Sequence, residues 1–167
     1  MANIKNKLTT INPGGVFGDA LDKKGGTSIE YVKQFLKGKF PAAPKWGILI
    51  SDVKDVAKAH VACIGNTKVG GRRLIVGKEI KKLIELSQIM AEAMPEYAKK
   101  LPKKELPNFM VKLISFFDSS AKTLIPDLEI VMQTDTTYAE ELLGLKFKPA
   151  KGCITDTAKS VVRLGLV

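Results

Sequence analysis

Through Val76, short β-branched or apolar runs alternate with segments of helical periodicity, and this alternation constrains the fold more than any other feature. Leu8-Thr9-Thr10-Ile11 reads as a strand, stopped by the turn signal Asn12-Pro13-Gly14-Gly15. Thr27 or Ser28 then caps a helix whose Ile29, Val32, Phe35 and Leu36 recur at helical spacing, ended by Lys37-Gly38. Pro41 and Pro44 hold the next stretch extended. Trp46-Gly47-Ile48-Leu49-Ile50 reads as a buried strand, and Ser51 or Asp52 caps a second helix. Its Val53, Val56, Ala57, His60, Val61 and Ile64 form one stripe. Arg73-Leu74-Ile75-Val76 is a third strand. Strands joined through helices cross over into a parallel sheet, so the expected class is α/β.

The remainder reads as mostly helical. Ile80, Leu83, Ile84, Ser87, Met90 and Met94 mark one amphipathic helix, and Pro107 opens another carrying Phe109, Met110, Leu113, Ile114 and Phe117. Short helices are expected near 135–143, ending at Gly144, and near 155–164. With 167 residues and no internal repeat, the chain is read as a single unit over 1–167.

Charge and cysteine usage narrow the partners. Lys+Arg number 27 against 17 Asp+Glu, a net +10, yet the cations are scattered. The densest group, Lys99-Lys100-Leu101-Pro102-Lys103-Lys104, reads as a solvated loop, so no nucleic-acid partner is expected. No apolar run reaches the roughly 18 residues of a membrane helix. Met1-Ala2-Asn3-Ile4-Lys5 has no signal h-region, so no membrane partner and a cytoplasmic location are expected. Cys63 and Cys153 lack metal-ligand neighbours and the chain has one His, so no metal site is expected and both thiols read as buried and reduced.

Motifs of catalysis are missing. There is no Gly-x-Gly-x-x-Gly, and Gly71 to Lys78 departs from a P-loop in having five residues between glycines and Glu79 where Ser or Thr should stand. None of Tyr31, Tyr97 and Tyr138 has a lysine four positions on. His60 reads as a packed core histidine, and Asp52 and Asp55 as caps of a helix start. No catalytic residue is therefore assigned. The suggestive segment is Thr10 to Gly18, where a strand running into Pro and two glycines leaves bare backbone at the carboxyl edge of a sheet. Open α/β sheets bind ligands at that edge, although strand-Pro-Gly is also simply a turn.

Asn12-Pro13-Gly14-Gly15-Val16-Phe17-Gly18, Gly26-Thr27-Ser28, Phe40-Pro41-Ala42-Ala43-Pro44-Lys45 and Asp52-Val53-Lys54-Asp55-Val56-Ala57-Lys58-Ala59-His60 follow in order. Together with Ile154-Thr155-Asp156-Thr157-Ala158-Lys159-Ser160, this series resembles the C-terminal half of an extended short-chain dehydrogenase/reductase, of the bacterial dihydroflavonol-reductase-like or epimerase/dehydratase group. The resemblance implies the last strands of a Rossmann-type sheet plus a mostly helical substrate-binding lobe. It implies that Pro13, Gly14, Gly15 and Val16 lie beside the nicotinamide carboxamide of NAD or NADP, NADP being slightly favoured, and that Ser28 lies near the cofactor phosphates. Phe17, Tyr31 and Trp46 become substrate-pocket candidates, with core packing the competing reading of Tyr31 and Trp46.

The implied activity is reduction of a ketone, aldehyde or flavanonol-like carbonyl. A nucleotide-sugar epimerase or dehydratase is the alternative, disfavoured because Pro44 to Ile50 has no Arg for a diphosphate. A non-catalytic binding or dimerisation module is the rival from another class. Departures from the family pattern include Asp19 for a usual Pro and Lys54 for a frequent Arg. The family's Gly-rich turn, catalytic Ser/Thr and Tyr-x-x-x-Lys belong before the strand at Leu8. The expectation is thus a truncated product, Met1 to Asn6 being the end of the helix that bears the Tyr, inactive alone and pairing into homodimers through uncovered sheet or helix faces.

Overall fold

The computed structural model describes residues 8–116, 122, 125–128, 130 and 132–167. The expectations for Met1 to Asn6 and for Phe117 lie outside these residues. The α/β class is observed. Strand β1 (Thr10–Pro13) pairs in parallel with β5 (Arg73–Val76). Strand β2 (Gly15–Phe17) pairs in parallel with β4 (Gly47–Asp52), whose other edge takes β6 (Glu79–Lys82) antiparallel. A third pair joins β3 (Ala43–Pro44) to β7 (Glu105–Leu106). Between them run helices α1 (Thr27–Leu36), α2 (Val53–Cys63), α3 (Leu83–Ala93), α4 (Asn108–Ile114), α5 (Thr137–Leu143) and α6 (Ala150–Arg163).

The Pro-Gly-Gly segment does not turn the chain back. Pro13 ends β1 opposite Val76, a position where its missing N–H breaks no ladder, and the chain steps sideways into β2. Ser51 stitches the step: the Gly14 N–H donates to Ser51 Oγ at 2.9 Å, and that hydroxyl donates to the Val76 carbonyl at 2.5 Å. Gly14 is needed for close approach. A Cβ there would stand 2.2 Å from the Leu49 carbonyl oxygen.

The main core gathers Phe17, Phe35, Ile50, Leu86, Met90 and Ile154 around α6, which packs on α1, α3 and β4. Helix α6 begins five residues before the expected position 155 and is buried along most of its length, because Ala150, Cys153, Ile154, Ala158 and Val161 make a continuous apolar face. A second cluster, with Leu74, Val76, Leu143 and Phe147, lies under β1 and β5.

Several expectations are corrected. Thr27 and Ser28 do not cap α1; its N-cap is Gly26, which has no side chain to offer. Ile80 belongs to β6, and α3 starts only at Leu83. The apolar stripe of α2 is mostly uncovered: Val53, Ala57, Val61 and Ile64 are exposed and only Val56 packs against the second cluster, while Asp55 and Ala59 are buried. His60 is likewise exposed, its Nδ1 lying 2.8 Å from the Val56 carbonyl, so it is no core histidine. Helix α4 buries only Val111, leaving Phe109, Met110, Leu113 and Ile114 exposed. Of the thiols, Cys153 is buried and Cys63 only partly so. Capping of α2 by Asp52 is as expected, its Oδ1 accepting from the Lys54 N–H at 2.8 Å.

Candidate functional site

A cleft of about 900 Å³ opens at the carboxyl end of β2. Gly14 to Phe17 form its floor, α1 supplies Ser28 and Tyr31, and Trp46 and Ile48 close one side. The start of α2 adds Val53, Lys54 and Ala57. The fold therefore brings Gly14, Gly15, Val16, Phe17, Ser28, Tyr31 and Trp46 to one cavity. Pro13 is not on its wall; it is exposed at the end of β1. Tyr31 and Trp46 are half-buried, with Trp46 packed against the core from the cleft side.

The two central glycines differ in what they face. The absent Cβ of Gly14 points at the β4 backbone, whereas that of Gly15 points at the Ile48 side chain, with Cδ1 at 2.4 Å, on the cleft side of the strand. Gly18 carries φ +133°, a conformation that side-chain-bearing residues rarely adopt, and it bends the chain into the cleft wall.

That wall, residues 18 to 20, is held by one face of α6. The Gly18 N–H donates to Thr157 Oγ1 at 2.6 Å and the Ala20 N–H to Ser160 Oγ at 3.0 Å. Arg163 Nη2 donates to Asp19 Oδ1 at 2.7 Å and to the Ala20 carbonyl at 3.0 Å. Residues 157, 160 and 163 are three apart, so they stand in one row on the helix. Thr157 and Ser160 each donate onward to α6 carbonyls, of Cys153 and Thr157, so both hydroxyls are held in place. Sequence reasoning missed this row. The Thr-x-x-Ser-x-x-Arg spacing was the available signal.

Behind the floor, Asp52 is nearly fully buried, and Lys148 Nζ lies 3.4 Å from it and 2.5 Å from Asp156. Asp55 accepts the Lys148 backbone N–H at 2.6 Å, docking the segment before α6 onto α2. Burial acts to lower the Lys148 ammonium, but hydrogen bonding to Asp156 and the charge of Asp52 outweigh it, so its pKa stands above the ordinary lysine value. Burial pushes the Cys153 thiol up to about 12. The second-row charges fix α2 and α6 relative to β4. The cleft itself presents strand backbone, aromatic faces, a helix N-terminus without a side-chain cap, and Lys24 and Lys54. Such a surface can bind a flat polar ring and an anion. Among the described residues, no cluster of His, Cys, Asp and Glu could hold a metal ion.

A Rossmann-type α/β unit with its cleft at a strand's carboxyl end is the class that this geometry defines. Over nearly its whole length the chain is similar to the C-terminal half of extended short-chain dehydrogenase/reductases. It is 28% identical to the NADPH-dependent methylglyoxal reductase of Saccharomyces cerevisiae over 170 aligned residues, covering 96% of this chain and 44% of that protein. Cinnamoyl-CoA reductase 1 of Petunia hybrida is 25% identical, with 95% of this chain and 41% of the relative covered. Among solved structures, the yeast methylglyoxal/isovaleraldehyde reductase complexed with NADPH superposes with a TM-score of 0.70 at 25% identity, over 95% of this chain and 47% of that one. The chain spans less than half the length of the curated relatives it matches. No protein-family model matches it.

Proposed function

We propose that the chain is the C-terminal portion of an NADPH-dependent carbonyl reductase, forming the nicotinamide and substrate end of the active site, and that a dinucleotide-binding half completes it. The observation that carries this reading is the Pro-Gly-Gly step at the end of a parallel strand, which floors a cleft large enough for a nicotinamide riboside and a small carbonyl compound. Gly15 suits this fit, since it puts bare backbone on the cleft floor beside Ile48, where a Cβ would collide with Ile48 Cδ1 at 2.4 Å. Similarity to reductases named for NADPH supports the phosphorylated cofactor. Among the described residues, no helix is long and apolar enough to cross a membrane.

The bound nicotinamide would supply hydride to the carbonyl carbon. Backbone of Gly14 to Val16, with Pro13 behind it, holds the carboxamide edge of the ring. Ser28 and the free N–H groups at the start of α1 face phosphate, aided by Lys24 and Lys54. Phe17, Tyr31 and Trp46 exclude water and orient the substrate's apolar part. No tyrosine here has the lysine partner that proton donation requires, so the chain alone is inactive. The free edge of β1, which among the described residues pairs only with β5, and the apolar outer face of α2 are where the other half, or a second copy, adds.

The test is a chimera of this chain with the N-terminal half of the yeast methylglyoxal reductase. NADPH oxidation with methylglyoxal is expected from the chimera and none from the chain alone. A folded, NADPH-oxidising chimera whose KM for NADPH and kcat are untouched by Gly15→Val would overturn the nicotinamide assignment.

A further inference from the structure

At the C-terminal end of α1, whose first turns line the cleft, the fold gathers lysines that are dispersed along the chain. Gly38, at the end of α1 with φ +73°, packs against Lys100: a Cβ there would lie 3.3 Å from the Lys100 Cβ. This contact brings Lys37 and Lys39 beside Lys99 and Lys100. The β3–β7 pairing and the Ala43 N–H donating to the Lys104 carbonyl at 2.9 Å fix Lys103 and Lys104 on the same loop. All six side chains are exposed, and none belongs to an ion pair among the described residues. Exposed Glu96, half-buried Glu105 and Glu30, whose carboxyl feels the Lys39 charge, are acids near the group, and Lys100 Nζ lies over the Tyr97 ring, 5.5 Å from its centroid.

Helix α4 begins four residues after Lys104. Its exposed Phe109, Met110, Leu113 and Ile114, with Phe116 just beyond its end, cover roughly 160° of the circumference at about 100° per residue. Val111 alone turns inward, and Lys112 borders the apolar arc. Five large apolar side chains side by side, two of them phenylalanines more than two-thirds exposed, are not a solvated surface.

We propose that this face docks the protein on an anionic lipid surface, the six lysines meeting lipid headgroups and the α4 arc entering the headgroup–acyl boundary. Reversible membrane attachment needs two weak signals together, and a polybasic cluster that runs through Lys103 and Lys104 to within four residues of an apolar helix supplies both. Charge complementarity selects an anionic occupant. The arc selects lipid over duplex nucleic acid, because its five side chains carry no hydrogen-bond donor for a base edge or a phosphate, and phenylalanines stack on unpaired bases rather than on a closed duplex. The expectation of no membrane partner rests on the lack of a spanning run and of a signal h-region, and neither bears on a face that only lies on a lipid surface. The cleft plays no part in this binding.

The experiment is co-sedimentation of the 167-residue chain with phosphatidylcholine vesicles, with and without phosphatidylserine, over a series of salt concentrations. Binding is expected only with phosphatidylserine and to weaken as salt rises. Lys99→Gln with Lys103→Gln is expected to weaken it by about thirtyfold, from a factor of about five per lysine at such a surface. Phe109→Ser with Leu113→Ser removes the binding that survives at high salt. All four positions are exposed, so circular dichroism should show both variants folded. Equal binding to neutral vesicles, or no binding, overturns the proposal. So does tighter binding to a DNA duplex that ignores Phe109→Ser, or a dimer in gel filtration that Phe109→Ser dissolves.

Discussion

Replacing Gly14 by Ala tests the sideways step on which the cleft floor depends. A Cβ at Gly14 would stand 2.2 Å from the Leu49 oxygen, 2.6 Å from its Cβ and 2.8 Å from its carbonyl carbon, and two of those atoms are β4 main chain. Main chain cannot rotate aside, so β2 and β4 must separate, and the Gly14 N–H bond to Ser51 Oγ lengthens with them. Overpacking of this kind costs about 3 kcal/mol, the upper part of the usual range. For a chain of this size that lowers the thermal midpoint by about 6–12 °C. Gly15→Ala meets the Ile48 Cδ1 at 2.4 Å and the Phe17 Cε2 at 3.0 Å, both ends of side chains, of which Ile48 can swing away. Its cost is about 1 kcal/mol, partly offset by the lower entropy of the unfolded alanine chain. The expected shift is therefore less than about 4 °C. Thermal unfolding followed by circular dichroism decides the matter. Equal midpoints, or Gly15→Ala the less stable of the two, would refute the placement of Gly14 against β4. A consequence for ligand work is that Gly14→Val reports on folding, and only Gly15 reports on crowding of the ring.

Three further outcomes follow from the hydrogen bonds and titrations. Thr157→Val strands the buried Gly18 N–H and should cost about 1–3 kcal/mol, while Thr157→Ser keeps the acceptor and should cost less; denaturant unfolding of the pair measures the difference. The Glu140 carboxyl is held below its ordinary range, first by the Lys78 ammonium and then by the Phe147 N–H. A lowered carboxylate stabilises the fold above its unfolded pKa and loses that contribution as pH falls through its folded one. Glu140→Gln should accordingly flatten the fall in stability between about pH 5 and pH 3, and an unchanged slope in urea titrations would contradict the ion pair. With a thiol at about 12, Cys153 presents roughly one thiolate in ten thousand at pH 8. Half-buried Cys63 should react with a disulfide reagent in the folded protein and Cys153 only in denaturant; two fast thiols would count against the burial of α6.

Local signals in the chain were legible where one short segment decides the outcome. The strand at Arg73 to Val76, the Asp52 cap and the Gly144 terminus rest on two to four neighbouring residues, and each stands where the pattern places it. The gathering of Gly14 to Phe17 with Ser28, Tyr31 and Trp46 was legible through the ordered resemblance. What stayed hidden depends on pairings across long separations. Thr157 meets Gly18 and Arg163 meets Asp19 over more than 130 residues, and no periodicity encodes which loop a helix face will hold. Strand β6 was hidden for a different reason. Ile80 fits the helical spacing of Leu83 and Ile84 as well as it fits a strand, and only the free edge of β4 decides between them.

Helix α2 shows most plainly how periodicity and burial part company. Val53, Val56, Ala57, His60, Val61 and Ile64 recur at helical spacing and read as one stripe, yet all but Val56 are exposed, and the face turned to the sheet carries Asp55 and Ala59. The spacing reports that a face is built to be covered; it cannot report which surface covers it. Asp55 is turned inward because it accepts the Lys148 N–H and pairs with Lys58 Nζ at 3.4 Å, and these partners outweigh the apolar pull of the opposite side, since a buried carboxylate without a donor would cost far more than an exposed valine. The same logic applies to β1, whose second edge has no strand among the described residues. An apolar helix face and an open parallel edge on one side of a two-stranded sheet make a template for further α/β structure. The proposed completion by a dinucleotide-binding half rests on that geometry together with the cleft floor, and Val53 and Ala57 of the α2 face belong to both.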